Sequence, residues 1–468
     1  MSTKRDRDRG VFICSECGYE SAKWLGKCPE CGGWNTFEES EPIGPALKFP
    51  GHLLKRPLPE VKSLSEISLE REFRIQTPIL EWDRVLGGGL VPSSLVLISG
   101  DPGMGKSTLL LQVLAHLARR HTVLYISGEE SDRQIRLRAE RLGLAESKVL
   151  VACETSLERI IELAESYEVD ILAIDSIQTI ASSFLDATPG TVSQIRYCTD
   201  RLLQMAKLRN VTVIIVGHVT KEGIVAGPKA LEHLVDVVLY LEGDPTHSFR
   251  LLRSVKNRYG STNEIGVFEM KETGLHELTN PSQLLLAERP VGVPGSVVMP
   301  AVEGTRALLV EIQALVTYSS LAMPRRTTLG FDGSRASLLM AVLEKRLGLS
   351  FAQEDVFINV AGGLRLREPA ADLPVCLALM SSHFDTPVSA SLVAWGEVGL
   401  TGEVRAVGYG SIRLNEAVRL GFNEFVIPAS TAEQMKKEFP SFEARLIGVA
   451  SLREAVLRVF PDVKGAVK

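Results

Sequence analysis

One nine-residue run, GDPGMGKST (100–108), limits what this chain can fold into more than any other. It follows SLVLISG (94–100), a short apolar β run, and precedes LLLQVLAHLARR (109–120), which has helical character. Strand, G-x-x-x-x-G-K-[ST] and helix in that order is the context of a phosphate loop. Gly100, Gly103 and Gly105 let backbone N–H groups approach phosphate oxygens. Lys106 reaches the β and γ oxygens, Ser107 holds Mg2+, and the helix points its positive end at the anion. The expected nucleotide contacts are therefore Gly100, Asp101, Pro102, Gly103, Met104, Gly105, Lys106, Ser107 and Thr108, with ATP and Mg2+ as the ligands.

Such a loop needs a sheet behind it, and the following sequence supplies one. TVLYISG (122–128), VLVA (149–152), DILAIDS (170–176), VTVIIVGH (211–218) and DVVLYLEG (236–243) recur at α/β spacing. Helical stretches such as DRQIRLRAERLGL and SLERIIELAESYEV lie between most of them. Near-continuous Val/Ile/Leu strands indicate a parallel sheet buried on both faces, so the fold class is α/β. Asp175 ends ILAID at the carboxyl end of a strand, where doubly wound sheets bind ligands, and is the expected partner of Mg2+ and its water. Glu129 and Glu130 end another strand and are acids able to orient a hydrolytic water. A strand-end acid also serves as a helix cap, so the choice between the two stays open.

Four of the seven cysteines sit together in CSECGYESAKWLGKCPEC, as Cys14, Cys17, Cys28 and Cys31. Two Cys-x-x-Cys knuckles at this spacing converge four thiolates on one tetrahedral Zn2+, whereas a redox dithiol needs one knuckle only. The glycines after each knuckle, Gly18, Gly32 and Gly33, help the backbone turn its amides toward sulfur. A module this small depends on its metal to fold. An odd cysteine count with a clustered metal set suits a reduced cytoplasm better than a disulfide framework. The start, MSTKRDRDRG, has no apolar core behind it, and no apolar run reaches about 18 residues, so neither a secretory signal nor a membrane span is expected.

Organisation follows from these landmarks. Residues 1–40 read as the zinc-binding domain, the proline-bearing 41–60 as a linker, 61–280 as the ATPase domain and 281–468 as a further domain. In that last part VPGSVVMPAVEGTRALLVEIQALV has the look of alternating strands. Net charge is −5, so any nucleic-acid contact must come from local patches rather than a global basic field.

The ordered set of motifs resembles a known family. GDPGMGKST, strand-end Glu129 and Asp175, and the polar-tipped strand VIIVGH are similar to a RecA-type core. Joined to a four-cysteine knuckle, a KNRYG box at 256–260 and a Lon-protease-like tail, they resemble the RadA (Sms) family of bacterial DNA repair proteins along essentially the whole chain. KNRFG is the usual box in that family, so Tyr259 is a mild departure. The resemblance implies a DNA-dependent ATPase that promotes branch migration and strand exchange on single-stranded DNA and branched recombination intermediates. It also implies a hexameric ring, the RecA recombinase as partner, and a cytoplasmic site of action. Two other readings share parts of the pattern: a KaiC-like regulatory ATPase that does not act on DNA, and an ATP-dependent Lon-like protease.

Further expectations come with it. Lon-like proteases use a Ser–Lys dyad. The matching positions here are Ala370 and Ser411; residues 369–373 hold no Ser, Thr or Cys, and 406–412 hold no Lys. The tail is then a non-peptidase scaffold for ring formation and DNA handling. RecA-type domains carry two nucleic-acid loops, here 182–196 and 219–233, the second with Lys221 and Lys229 as phosphate contacts. Phe184 and Tyr197 are the aromatics near the first, and His218 stands where the fold keeps a polar sensor. Lys256 and Arg258 would project from one face of an extended strand. The strand SFRLLRSVKN (248–257) is expected at a sheet edge, from which both cations act on the nucleotide of a neighbouring subunit. Asn257 would fix the turn behind them.

Overall fold

A computed structural model of the chain describes residues 11–14, 20–21, 23–29, 32–40, 63, 74–217, 231–243, 249–321, 323–439 and 444–463. The chain divides into two compact units. One holds Met1–Glu242, Arg250–Thr262 and Phe268–Glu277, and the other Gly243–Phe249, Asn263–Val267 and Leu278–Lys468.

The N-terminal ribbon is a three-stranded antiparallel sheet of order β2-β1-β3, from β1 (Val11–Cys14), β2 (Glu20–Ser21) and β3 (Phe37–Ser40). Cys14, Cys28 and Phe37 form its small core. Trp24 is fixed at the surface by its indole N–H, which donates to the Phe37 carbonyl at 3.1 Å.

The ATPase core begins with α1 (Leu80–Leu86), β4 (Leu95–Ser99), α2 (Lys106–Leu117), β5 (Val123–Ser127), α3 (Asp132–Arg141), β6 (Leu150–Cys153) and α4 (Leu157–Ser166). It continues with β7 (Ile171–Asp175), α5 (Val192–Arg209), β8 (Thr212–Val216), β9 (Val237–Gly243), β10 (Phe249–Asn257), β11 (Ile265–Lys271) and β12 (Gly274–Glu277). These strands form one sheet of order β12-β11-β10-β9-β4-β8-β7-β5-β6, with β9, β4, β8, β7, β5 and β6 parallel. Side chains of a strand alternate between faces, and here each face has its own core. Val96 and Ile98 of β4 pack with residues of α1 and α2, while Leu95 and Leu97 pack with residues of α4 and α5. That double covering is why every residue of β4, β5, β7 and β8 is buried, as the apolar runs predicted. β6, at one edge, exposes alternate residues.

Three expectations need correction. The strand carrying Lys256 is not an edge: the antiparallel β11–β12 hairpin lies beyond β10. β11 ends on charged residues and β12 is only four residues long, so the hairpin carries no unbroken apolar run. The stretch 182–196 is not all loop, because α5 starts at Val192 with Thr191 as its cap and buries Gln194 and Ile195. The expected alternation in 293–316 is absent; six successive residues from Ser296 are buried, because helices cover both faces of that part of the sheet.

The second unit contains α6 (Pro281–Leu285), β13 (Ser296–Glu303), β14 (Arg306–Tyr318), β15 (Arg326–Leu329), α7 (Gly333–Leu347), β16 (Glu354–Val360) and α8 (Asp372–His383). There follow β17 (Leu392–Ala394), β18 (Glu397–Val398), β19 (Val404–Arg405), α9 (Gly410–Arg419), β20 (Glu424–Pro428), α10 (Ala429–Glu438), β21 (Arg445–Val449) and α11 (Leu452–Val459). Its mixed sheet runs β15-β16-β14-β13-β17-β20-β21, and β18 and β19 pair separately. Helix α8 is the central element, buried from Asp372 through Ser381. No helix among the described residues is long and apolar enough to cross a membrane.

Candidate nucleotide site and the cations of the far sheet end

Beta-strand β4 delivers the phosphate loop at the carboxyl end of the parallel sheet. Gly100, Gly103 and Gly105 all adopt positive φ, at 142°, 79° and 99°. Gly100 is obligatory for a second reason: a Cβ there would lie 2.1 Å from the Leu241 carbonyl oxygen. A Cβ on Gly103 would meet nothing within 4 Å, so the turn faces open space, as a cradle for phosphates must. Met104 is buried under the loop, while Asp101 and Pro102 are exposed and Ser107 and Thr108 half-buried at the start of α2. The Lys106 ammonium is buried and donates to the carbonyls of Gly100 (2.8 Å) and Asp101 (2.9 Å). Burial holds its pKa below the ordinary value, against the pull of the Asp175, Asp101 and Glu129 carboxylates. Ser99 Oγ is buried beneath the loop with no hydrogen-bond partner among the described residues. An open glycine turn, a buried ammonium and a ring of acids fit a nucleotide phosphate chain with a divalent cation.

The acids separate by environment. Asp175, at the end of β7, is buried and accepts a hydrogen bond from the Tyr125 hydroxyl at 2.7 Å. Glu129 is exposed at the mouth of β5 and accepts from Ser176 Oγ at 2.5 Å. Glu130 instead pairs with Arg138 of α3, with its backbone N–H bonded to Ser127 Oγ at 2.9 Å. Glu130 is thus engaged away from the loop, whereas Glu129 is among the acids acting on Lys106. Tyr125 and Ser176 were not singled out in the sequence. The only signal was that Tyr125 and Ser127 share a strand face ahead of Glu129.

Lys256 and Arg258 lie at the other end of the same sheet. The backbone N–H of Asp236 donates to the Leu95 carbonyl at 3.0 Å, and the Leu95 N–H donates to Asp236 Oδ2 at 3.1 Å. These bonds tie the start of β9 to the start of β4, whereas the phosphate loop follows the end of β4. Arg258 N–H donates to the Asp236 carbonyl at 3.1 Å, which returns β10 to that same starting end. Five strand residues, each rising roughly 3.3 Å, separate these cations from the chain's own phosphate loop. Arg258 Nη1 meets Asp236 Oδ1 at 3.1 Å, and Lys256 Nζ donates to the Glu232 carbonyl at 2.6 Å. The turn between them is rigid. Asn257 Oδ1 accepts the Tyr259 N–H at 2.9 Å, and Arg74 clamps the Tyr259 and Leu86 carbonyls at 2.6 and 2.8 Å. Lys207, on α5, joins this group through Asp236 Oδ2 (3.0 Å) and the Tyr259 hydroxyl (3.1 Å). Neither Lys207 nor Asp236 carried any sequence signal, being 29 residues apart and each unremarkable in its own element.

Other expected residues are only partly visible. Cys14 and Cys28 are buried in the ribbon core. Gly32 turns with positive φ and its N–H donates to the Cys28 carbonyl at 2.9 Å. Cys17 and Cys31 lie outside the described residues, as do His218, Lys221 and Lys229. Two buried thiols beside a glycine knuckle fit one half of a four-thiolate zinc set. The first candidate loop is held by Gln194, whose Nε2 donates to the Ser182, Leu185 and Ala187 carbonyls at 3.1, 3.0 and 2.9 Å, leaving Phe184 exposed. Tyr197 is on α5, under the Arg201 guanidinium. In the second unit Ala370 is fully buried, and the Ser411 hydroxyl donates to Glu438 at 2.9 Å.

Comparison with known proteins follows the same divisions. Residues 12–39 match a family model described as a rubredoxin metal binding domain, 64–223 one described as an AAA domain, and 334–431 one described as the ChlI subunit of Mg-chelatase, which is Lon-like. The DNA repair protein RadA of Bacillus subtilis (strain 168) is 48% identical over 457 residues, covering 96% of this chain and 98% of that protein. The protein of the same name from Listeria monocytogenes serovar 1/2a is 47% identical over 456 residues, covering 96% and 98%. A solved KaiC-like protein from Pyrococcus horikoshii OT3 is 21% identical, covers 44% of this chain and 99% of its own, and superposes with a TM-score of 0.37, too loosely to argue from. Similarity of the former kind, running from the ribbon through the ATPase core to the Lon-like tail, makes the chain a member of the RadA family of bacterial DNA repair proteins.

Proposed function

We propose that this chain is a DNA-stimulated ATPase working as a ring, probing and driving branched recombination intermediates in the cytoplasm. The observation that carries this reading is the separation of charge. The phosphate loop and its acids stand at one end of the sheet, and Lys256 and Arg258 at the other, where the chain's own loop is out of reach. Cations so arranged suit a nucleotide bound at a border between two copies, each supplying what the other lacks.

ATP with Mg2+ supplies the phosphoryl group that water attacks. The chain's residues bind and orient: the backbone N–H groups of Gly103–Ser107 and the Lys106 ammonium for phosphates, Ser107 and Asp175 for Mg2+. Glu129 is the acid for the hydrolytic water, since it is among the carboxylates acting on Lys106 while Glu130 pairs with Arg138. Ser176 donates to one Glu129 oxygen, which helps fix the orientation of that carboxylate. Lys256 and Arg258 of an adjoining copy neutralise charge building on the transferred group. A hexamer is the ring this reading adopts, and Zn2+ on Cys14, Cys17, Cys28 and Cys31 completes the ribbon. DNA as the track rests on the relatives' name as DNA repair proteins, and strand exchange with the RecA recombinase and contacts through Lys221 and Lys229 rest on the family resemblance rather than on geometry.

ATP hydrolysis by the full chain, measured with and without single-stranded DNA across a salt series, tests this. Expected is stimulation by DNA that weakens as salt rises, lost in Lys106→Ala. Hydrolysis indifferent to DNA would favour a KaiC-like regulatory ATPase, and ATP-dependent casein cleavage would favour a protease.

A further inference from the structure

We infer that Asp236 is the positioning residue of a three-cation cluster, Lys207, Lys256 and Arg258, that meets the triphosphate of a nucleotide held by a second copy of the chain. This rests on the reading that Lys256 and Arg258 act across a subunit border.

The argument starts from burial. Asp236 is 2% exposed, and a carboxylate so placed needs partners for both oxygens. Oδ1 takes Arg258 Nη1, and Oδ2 takes both Lys207 Nζ and the Leu95 N–H. The carboxylate is therefore fixed to the sheet on one side and holds cations on the other. Lys256 is close enough to Arg258 and Asp236 to respond to both charges, but it is tied to carbonyl groups of Glu232 and His233 rather than to the carboxylate.

Charge balance then says what the cluster is for. Three cations stand near two carboxylates, Asp236 and the Glu232 that acts on Lys256, which leaves a surplus of one positive charge. An arrangement serving stability alone would be neutral, since like charges held together cost free energy. The side chains of Arg258 and Lys207 are about half exposed, at 53% and 45%. Arg258 meets Asp236 through Nη1, so the rest of its five-donor fork is left for an anion. Lys207 is also fixed from the side by the Tyr259 hydroxyl, and these hydrogen bonds outweigh burial to keep its pKa above the ordinary value. A compact, preorganised pair of positive charges with directional donors matches a polyphosphate rather than a single carboxylate. The border reading supplies one: the nucleotide on the next copy's phosphate loop.

The test uses the full chain with single-stranded DNA. It measures kcat and KM for ATP hydrolysis alongside nucleotide affinity by titration with a fluorescent ATP analogue. Asp236→Asn keeps an oxygen for the Leu95 N–H but removes the charge that aims the cations. Its kcat should fall on the order of a hundredfold, the scale of a 1 Å misplacement, with nucleotide affinity unchanged. Because the two residues act as one unit, Asp236→Asn added to Arg258→Ala should lower kcat by less than about twofold beyond Arg258→Ala alone. Asp236→Asn subunits mixed with Lys106→Ala subunits should regain hydrolysis, since one contributes a sound loop and the other a sound cluster; a merely structural lesion would not be rescued. If Asp236→Asn does not fold, Lys207→Met at the exposed side of the cluster takes its place, with the same kcat loss and the same rescue expected. Wild-type kcat in these variants, while Arg258→Ala has lost it, would overturn the role of Asp236 and leave the border reading standing. Wild-type kcat in Lys256→Ala and Arg258→Ala would remove the border reading itself, and this inference with it.

Discussion

A single hydroxyl holds the carboxylate at the end of β7. Tyr125 is fully buried, and its O–H donates to Asp175 Oδ2 at 2.7 Å. Burial and the adjacent carboxylate push the phenol far above its ordinary pKa, so it remains a neutral donor at any working pH. One carboxylate oxygen is thereby fixed and the other is left for the metal that the phosphate loop implies. Tyr125→Phe removes one hydrogen bond to a charged group, about 1.5–3 kcal/mol of orientation. The Mg2+ concentration giving half-maximal nucleotide binding should rise by about tenfold or more on that basis, with Mg2+-free binding unchanged. A fluorescent-nucleotide titration over Mg2+ reads this directly, and an unchanged Mg2+ requirement would reduce Tyr125 to packing. The phosphate loop was legible because its residues are consecutive. Tyr125 was not, because its partner is 50 positions away on a neighbouring strand.

At the scale of an element, α1 carries a built-in titration. Asp83 of this helix accepts hydrogen bonds from the Thr77 N–H (2.8 Å) and hydroxyl (3.0 Å). Burial nevertheless raises its pKa from 3.8 to about 6, with Glu277 adding to the rise. The folded state therefore holds this proton to higher pH than the unfolded chain does. Stability from this group is present at about pH 4 and falls as pH rises through about 6, by at most about 3 kcal/mol. Asp83→Asn keeps an acceptor for Thr77 without titrating. Its melting temperature should change less between pH 4.5 and 6.5 than that of the unaltered protein, and equal slopes would assign the pH dependence to other groups. The strands of the parallel sheet were legible for the opposite reason to this acid: burial on both faces leaves an unbroken apolar run. The β11–β12 hairpin, with charged residues at its turn, left no such trace. Its presence is what moves β10 inward from the sheet edge.

For the whole molecule, the second unit bears on whether the chain cleaves proteins. Ala370 carries no nucleophile and is fully buried ahead of α8. Nearby chain is locked by the Arg413–Glu368 ion pair, with Arg413 also bonded to the Pro300 and Gly408 carbonyls. Restoring a dyad by Ala370→Ser with Ser411→Lys should therefore yield no casein cleavage, because the supporting shell is absent. ATP-dependent cleavage by that variant, lost again in Lys106→Ala, would show the scaffold to be a disabled protease one step from activity. Read alone, the chain dictated everything that depends on spacing along the backbone. That includes the phosphate loop, the two cysteine knuckles and the α/β order of the core. Tertiary structure decided that Glu130 pairs with Arg138 while Ser176 donates to Glu129, and that KNRYG sits at the far end of the sheet from its own phosphate loop. It also decided that Asp236 gathers Lys207 and Arg258 from separate elements. The physical reason is that charge and hydrogen-bond partners are chosen by distance in space, and strand pairing brings together residues whose separation in sequence carries no periodic or compositional mark.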